Sequence, residues 1–248
     1  MWSVWSDMFP ARVCIHVGSG YAMLCNGRHA SEVFEFPQDL PLDRVLSRLD
    51  KRLPAVTKKY WQRKPALQVT LGATRCRALS LSVPAALRSW QELQTVATAQ
   101  AAQALGRQAE HIQCALNPRD HGTMGVMDSD ALVQLHDWAT RRQFHLVSVA
   151  PLWAIASACK AVQMDKCYAI AVQEPDAITL LVNAQGTPQQ AATIPTLADK
   201  NSAEILMRRH LVSMNVPESD VLRINFATQV QTRATTLPAL WSGHWSAP

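Results

Sequence analysis

Arg12-Val13-Cys14-Ile15-His16-Val17-Gly18-Ser19-Gly20 opens the first ordered-looking region of the chain, and Ala169-Ile170-Ala171-Val172-Gln173-Glu174-Pro175-Asp176 begins its counterpart much later. Each stretch is an apolar run broken by a turn and followed by another apolar run. After the first, residues 21–25 read as a second strand closed by Asn26-Gly27, and residues 32–36 alternate as a third. Pro41 then opens a helix with Leu42, Val45, Leu46, Leu49 and Leu53 at helical spacing, and residues 67–71 follow as a strand. The later copy runs through strands at 168–172, 177–182 and 190–194, a helix at 199–214 and a strand at 221–226. Its helix offers Ile205, Leu206, Leu211 and Val212 to a buried side. A β-β-β-α-β unit used twice predicts two mixed sheets covered by helices, one per lobe, with a cleft between them.

Between the copies the reading is an extended segment at 74–83, a helix over 85–105 stopped by Gly106, and strands at 111–116 and 123–127. A helix to about 142, capped by Asp128 or Ser129, a strand at 144–149 and a helix at 151–162 complete it. The division expected is a first lobe over 1–165 carrying an inserted small subdomain at about 72–127, then a second lobe and C-terminal tail over 166–248.

The 248 residues are 48% hydrophobic and 17% charged, an ordinary globular balance. No apolar run approaches the roughly 20 residues of a membrane span, and the N-terminus lacks the pattern of a signal peptide. A soluble, cytoplasmic protein is expected. Cys14, Cys25, Cys76, Cys114, Cys159 and Cys167 form no CxxC pair and fit no zinc spacing, so reduced thiols are expected and no metal. His111, His121, His136 and His145 have no carboxylate at telling spacing apart from Asp137, which as a helix neighbour of His136 points elsewhere. There is no P-loop, dinucleotide fingerprint or nucleophile elbow.

The net charge is +5, but residues 44–64 hold eight basic side chains and one acid. Arg44, Arg48, Lys51 and Arg52 form a basic patch that suits anionic lipid headgroups, nucleic acid or an acidic partner, or is a solvated helix face. No nucleic-acid motif accompanies it, and no nucleic-acid partner is expected. Trp2, Trp5, Trp241 and Trp245 flank the chain, either as docking aromatics or packed back; the latter reading puts Trp61, Trp90, Trp138 and Trp153 in or near the core.

The order of elements resembles the actin-like ATPase superfamily, which has a two-lobed, ribonuclease H-like α/β fold. More narrowly it resembles PilM of type IV pili and the cytoplasmic domain of GspL of type II secretion, with the short HofM-like proteins nearest in length. The stretches carrying the likeness are residues 12–20, residues 71–84 and residues 144–159. The resemblance implies a first phosphate hairpin at His16, Gly18, Ser19 and Gly20, and a second near Val172. Catalytic relatives carry carboxylates at the positions of His16 and Val172, where they help hold Mg²⁺. An imidazole and a valine cannot do so. Glu174 or Asp176 could stand in. The expectation is therefore no enzyme and no cofactor, but a scaffold at the cytoplasmic face of the inner membrane. The resemblance implies a PilN-like or GspM-like bitopic membrane partner, a motor ATPase and self-association. The partner's tail would lie along a groove involving Arg75, Arg77 and Leu79. The alternative is a nucleotide- or metabolite-binding actin-like or sugar-kinase-like enzyme.

Overall fold

The structure, a computed structural model, describes residues 12–26, 29–38, 40–52, 64–117, 120–158, 169–184, 187–196 and 200–226. The paired tryptophans at each end, Trp61, Cys159, Cys167 and the Gly27 position lie outside them. The first copy is β1 (Arg12–Val17), β2 (Tyr21–Asn26), β3 (His29–Glu35), α1 (Leu42–Asp50) and β4 (Ala66–Leu71). The inserted segment holds β5 (Arg77–Ser80), α2 (Trp90–Leu105), β6 (Ile112–Asn117) and β7 (Asp120–Asp128). Next come α3 (Ala131–Arg141), β8 (His145–Pro151) and α4 (Leu152–Ala158). The second copy is β9 (Ala169–Gln173), β10 (Ala177–Ala184), β11 (Thr187–Pro195), α5 (Lys200–Ser213) and β12 (Val221–Asn225).

Two sheets result. The first has the order β3-β2-β1-β4-β8 and the second β12-β9-β10-β11-β5-β7-β6. In both copies the first three strands are antiparallel neighbours and the strand after the helix lies parallel to the first. The duplicated mixed-sheet fold expected from the sequence is the one observed.

The inserted segment falls within the first lobe in sequence, but its strands extend the second lobe's sheet. The seam between β11 and β5 is thin: Ala192 opposite Leu79 is its one backbone pair. Side-chain hydroxyls complete it. The Ala78 amide donates to Thr193 Oγ1 at 2.8 Å and the Ala191 amide to Ser80 Oγ at 2.9 Å.

Periodicity explains the helices. Leu42, Val45, Leu46 and Leu49 bury one face of α1 against the first sheet, as the spacing predicts. α2 starts later than the sequence reading placed it, because Ser89 caps it: the hydroxyl accepts from the Glu92 amide at 3.2 Å, and Glu92 reaches back to the Arg88 amide at 2.8 Å. Gly106, at φ 61°, ends it in the left-handed conformation. The face assigned to α5 is corrected. Among its described side chains Leu211 is buried as expected and Met207 joins it, whereas Ile205, Leu206 and Val212 are exposed. Trp90 also lies on the surface, while Trp138 and Trp153 are buried.

Three clusters join helices to sheet faces: α1 and α3 on the first sheet, α5 and α2 on the second. A fourth lies between the lobes. It packs Tyr21 and Met23 of β2 against Ile170, Val172 and Leu181 of the second sheet, with Leu152 and Trp153 of α4 and Phe226 filling between. The two lobes thus share an apolar core.

Candidate functional site

The apolar interface between the lobes ends where the turn after β1 meets the turn after β9. His16 is fully buried at the last inward position of β1. Its Nε2 lies 2.9 Å from the phenol oxygen of Tyr21, and its ring meets Phe226 edge-on at 5.1 Å. Tyr21 in turn donates to Glu174 Oε2 at 3.4 Å. Glu174 is 1% exposed, and its two oxygens accept the Ala73 amide at 3.0 and 3.1 Å. Asp176, two residues on, accepts the Ser19 amide at 3.1 Å and the Thr74 hydroxyl at 2.8 Å. The Glu174 amide bonds the Ala177 carbonyl at 2.8 Å, so a tight turn sets both carboxylates facing the other lobe.

Glycine makes the approach possible. A Cβ on Gly72 would lie 2.7 Å from Glu174 Oε2 and 3.0 Å from Gly18 Cα, and one on Gly18 would strike the Tyr21 ring at 2.3 Å.

Burial sets the electrostatics. Desolvation drives the His16 pKa from its ordinary 6.5 to about 3, against the attraction of Asp176, so the imidazole is neutral. Burial pushes the Glu174 carboxyl well above its ordinary range, and the Asp176 charge adds to the effect. Tyr21 is held in its phenol form by burial and by the same two acids. His16, Tyr21 and Glu174 therefore form a chain of mainly neutral hydrogen-bonding groups shielded from water, with Thr74 and Asp176 half-buried at its edge.

The residues anticipated for phosphate contact are brought together, but differently from expectation. Val172, at the position expected for the second phosphate hairpin, is buried in the interlobe core. Glu174 and Asp176 do reach the first hairpin, and they accept the chain's own N–H groups there. A phosphate would need those donors. The residues present do not fit a magnesium nucleotide while both carboxylates hold these positions. Among the described residues no group of three His, Cys, Asp or Glu side chains is placed to hold a metal ion. Cys76 and Cys114 are free thiols, burial pushes Cys76 up to about 12, and the Cys14 thiol donates to Gln68 Oε1 at 3.3 Å. His111, His136 and His145 are exposed.

Arg75, Arg77 and Leu79 do not form one face. Arg75 sits in the turn before β5, and its guanidinium donates to the Gly18 carbonyl at 3.3 Å and to the Leu40 carbonyl. Arg77 is exposed, and Leu79 packs beside α2. β4 and β5 each have a strand on both sides, so neither offers an open edge for a peptide. Arg75→Ala is expected to cost about 1–3 kcal/mol by stripping two carbonyls of a charged donor, whereas Arg77→Glu should stay within about 0.5 kcal/mol of wild type. Urea denaturation of the two variants checks the contrast.

Tyr21, Gly72, Ala73 and Thr74 were not singled out from sequence. Their roles depend on contacts across 101 and 102 residues for Ala73 and Thr74, and 153 for Tyr21. The available signal was the pair of acids around Pro175 in an otherwise apolar hairpin.

Two lobes on mixed sheets, joined by opposed turns, match the actin-like fold, and solved structures agree. The chain is similar to a Bacteroides thetaiotaomicron protein with an actin-like ATPase fold and unknown function: TM-score 0.62, 8% identity, covering 91% of this chain and 84% of that one. It is similar to the structure of a PilM–PilN type IV pilus biogenesis complex: TM-score 0.59, 11% identity, covering 90% and 83%. It is also similar to the cytoplasmic domain of EpsL, an inner-membrane component of the type II secretion system of Vibrio cholerae: TM-score 0.55, 11% identity, covering 88% and 83%. No family model and no curated protein sequence matches the chain. The fold is therefore the actin-like fold, of the form found in PilM and in the EpsL cytoplasmic domain. No helix among the described residues is long and apolar enough to cross a membrane.

Proposed function

We propose that this protein is a non-catalytic scaffold on the cytoplasmic side of a type IV pilus or type II secretion assembly platform, peripheral to the inner membrane. Its work is to bind the cytoplasmic tail of a PilN-like or GspM-like membrane partner. The fold likeness to PilM and EpsL supports the setting. One observation carries the non-catalytic part: the Glu174 and Asp176 carboxylates accept the Ala73 and Ser19 amides, donors that a nucleotide's phosphates would otherwise engage. Phosphoryl transfer requires metal and phosphate positioned together, and here the chain's own acids take that place. Contact with a motor ATPase and self-association belong to the same reading.

Two measurements test it. Thermal melting with millimolar Mg-ATP should leave Tm unchanged; a ligand at about 100 times its Kd would add about 2.7 kcal/mol. Affinity purification of the tagged chain from detergent-solubilised membranes of its own host should recover a single-span pilus or secretion protein. A rise in Tm with Mg-ATP overturns the non-catalytic reading, and recovery of no such membrane protein overturns the scaffold.

A further inference from the structure

The basic patch has a structural setting that the interlobe site does not use. β3 is the outermost strand of the first sheet, paired with β2 on one side. Among the described residues nothing pairs its other side. The Phe36 amide donates inward to the Gly20 carbonyl at 2.8 Å. Inward and outward positions alternate along an antiparallel strand, so Val33 and Glu35 turn their N–H and C=O groups to the open edge. A groove of about 360 Å³ runs between this edge and α1. Phe36 lies in it beneath the Arg48 guanidinium, 5.9 Å from the ring centre. Arg48, Lys51 and Arg52 line its helix side and are exposed; Glu32 and Glu35 lie on the strand side. Among the described residues none of the three cations is ion-paired, whereas Arg44, outside the groove, has Asp43 at 3.7 Å.

We propose that this groove takes an extended acidic segment of another protein, which adds to the sheet as a strand beside β3. Main-chain bonds to Val33 and Glu35 would hold it, and alternate side chains would point toward α1. Carboxylates at those positions meet Arg48, Lys51 and Arg52. The positions facing away from α1 run beside Glu35 and suit neutral or basic residues. An open edge is commonly shielded by charge; β3 carries Glu32 and Glu35, but across the groove three cations outnumber Glu32 on the α1 face. The inference is independent of the nucleotide reading and of any tail groove near Arg75.

The test uses the full chain and a fluorescent ten-residue peptide alternating Glu with Thr or Val, read by anisotropy. A Lys-for-Glu peptide, phosphatidylglycerol vesicles and a single-stranded oligonucleotide are the comparison probes. The acidic peptide should bind, and the Lys peptide should bind at least tenfold more weakly. Reversing Arg48, Lys51 and Arg52 to glutamate should abolish binding. Glu35→Pro should weaken it at least tenfold by removing one outward N–H, a change that an edge strand tolerates; Glu35→Thr, which keeps that N–H, should not. Equal affinity of Glu35→Pro and Glu35→Thr overturns strand addition. So does tight binding of vesicles or oligonucleotide with none of the acidic peptide. If Glu35→Pro does not fold, amide exchange on the wild-type chain decides: peptide-induced protection at Val33 and Glu35 supports the proposal, and its absence overturns it.

Discussion

Tyr21→Ala is expected to destabilise the protein by about 3–5 kcal/mol, the range for truncating a buried aromatic side chain. At roughly 2–4 °C per kcal/mol for a chain of this size, Tm should fall by about 6–20 °C. Tyr21 is 4% exposed and joins three things at once. Its ring fills the interlobe core with Met23 and Ile170, it lies against the backbone of Gly18, and its hydroxyl links His16 to Glu174. Tyr21→Phe separates these roles, because it keeps the ring and removes the hydroxyl. It should cost about 1–3 kcal/mol, the penalty for leaving buried polar partners short of a hydrogen bond. Thermal melts of both variants, with amide exchange of β1 and β9 as a second readout, check the difference. If Tyr21→Ala melts within about 2 °C of wild type, the shared core does not hold the lobes together.

The duplicated fold could be read from sequence because its signals are local. Alternating apolar residues mark β3, the spacing of Leu42, Val45, Leu46 and Leu49 marks α1, and Pro41 and Gly106 mark helix ends. Each follows from strand or helix period and from the backbone limits of proline and glycine. The destination of the inserted segment has no such signal. β5 joins β11 through one backbone pair and the hydroxyls of Ser80 and Thr193, residues that look like ordinary surface-strand positions in sequence. The buried face of α5 was misjudged because Ile205 and Val212 share the apolarity of Met207 and Leu211 without sharing their burial. For the site, His16 and the hairpin glycines were visible as departures from a pattern. The positions of Glu174 and Asp176 were not, since a carboxylate two residues off register is decided by the turn that aims it. Arg75 lies in the turn before β5 and Arg77 in the strand, a difference that residue spacing alone does not reveal.

Acid is expected to act on this protein through His16 and alkali through Glu174, with opposite signs. The His16 pKa falls from 6.5 to about 3 on folding, so the folded state binds its proton more weakly than the unfolded chain. Its contribution is intact above pH 6.5 and is lost progressively as pH falls toward 3. In that window each unit costs about 1.4 kcal/mol, on the order of 5 kcal/mol if fully expressed. Glu174 has a raised folded-state pKa, so its contribution is intact below its ordinary 4.5 and is lost as pH rises toward the raised value. The variants isolate the two groups. His16→Gln keeps a polar partner for Tyr21 but cannot take up a proton, so its deficit against wild type should shrink or reverse by about 2–3 kcal/mol between about pH 7 and pH 4.5. Glu174→Gln keeps an acceptor for the Ala73 amide and cannot ionise, so it should gain on wild type as pH rises from about 5 to 9. Urea denaturation across this range measures both, and other carboxylates cancel in each difference. If the wild-type and His16→Gln curves run parallel from neutral to acid, His16 is not held neutral in the fold. If Glu174→Gln gains nothing at high pH, the Glu174 carboxylate is charged where it sits, and the interlobe contact is an ionic lock rather than a chain of neutral hydrogen bonds.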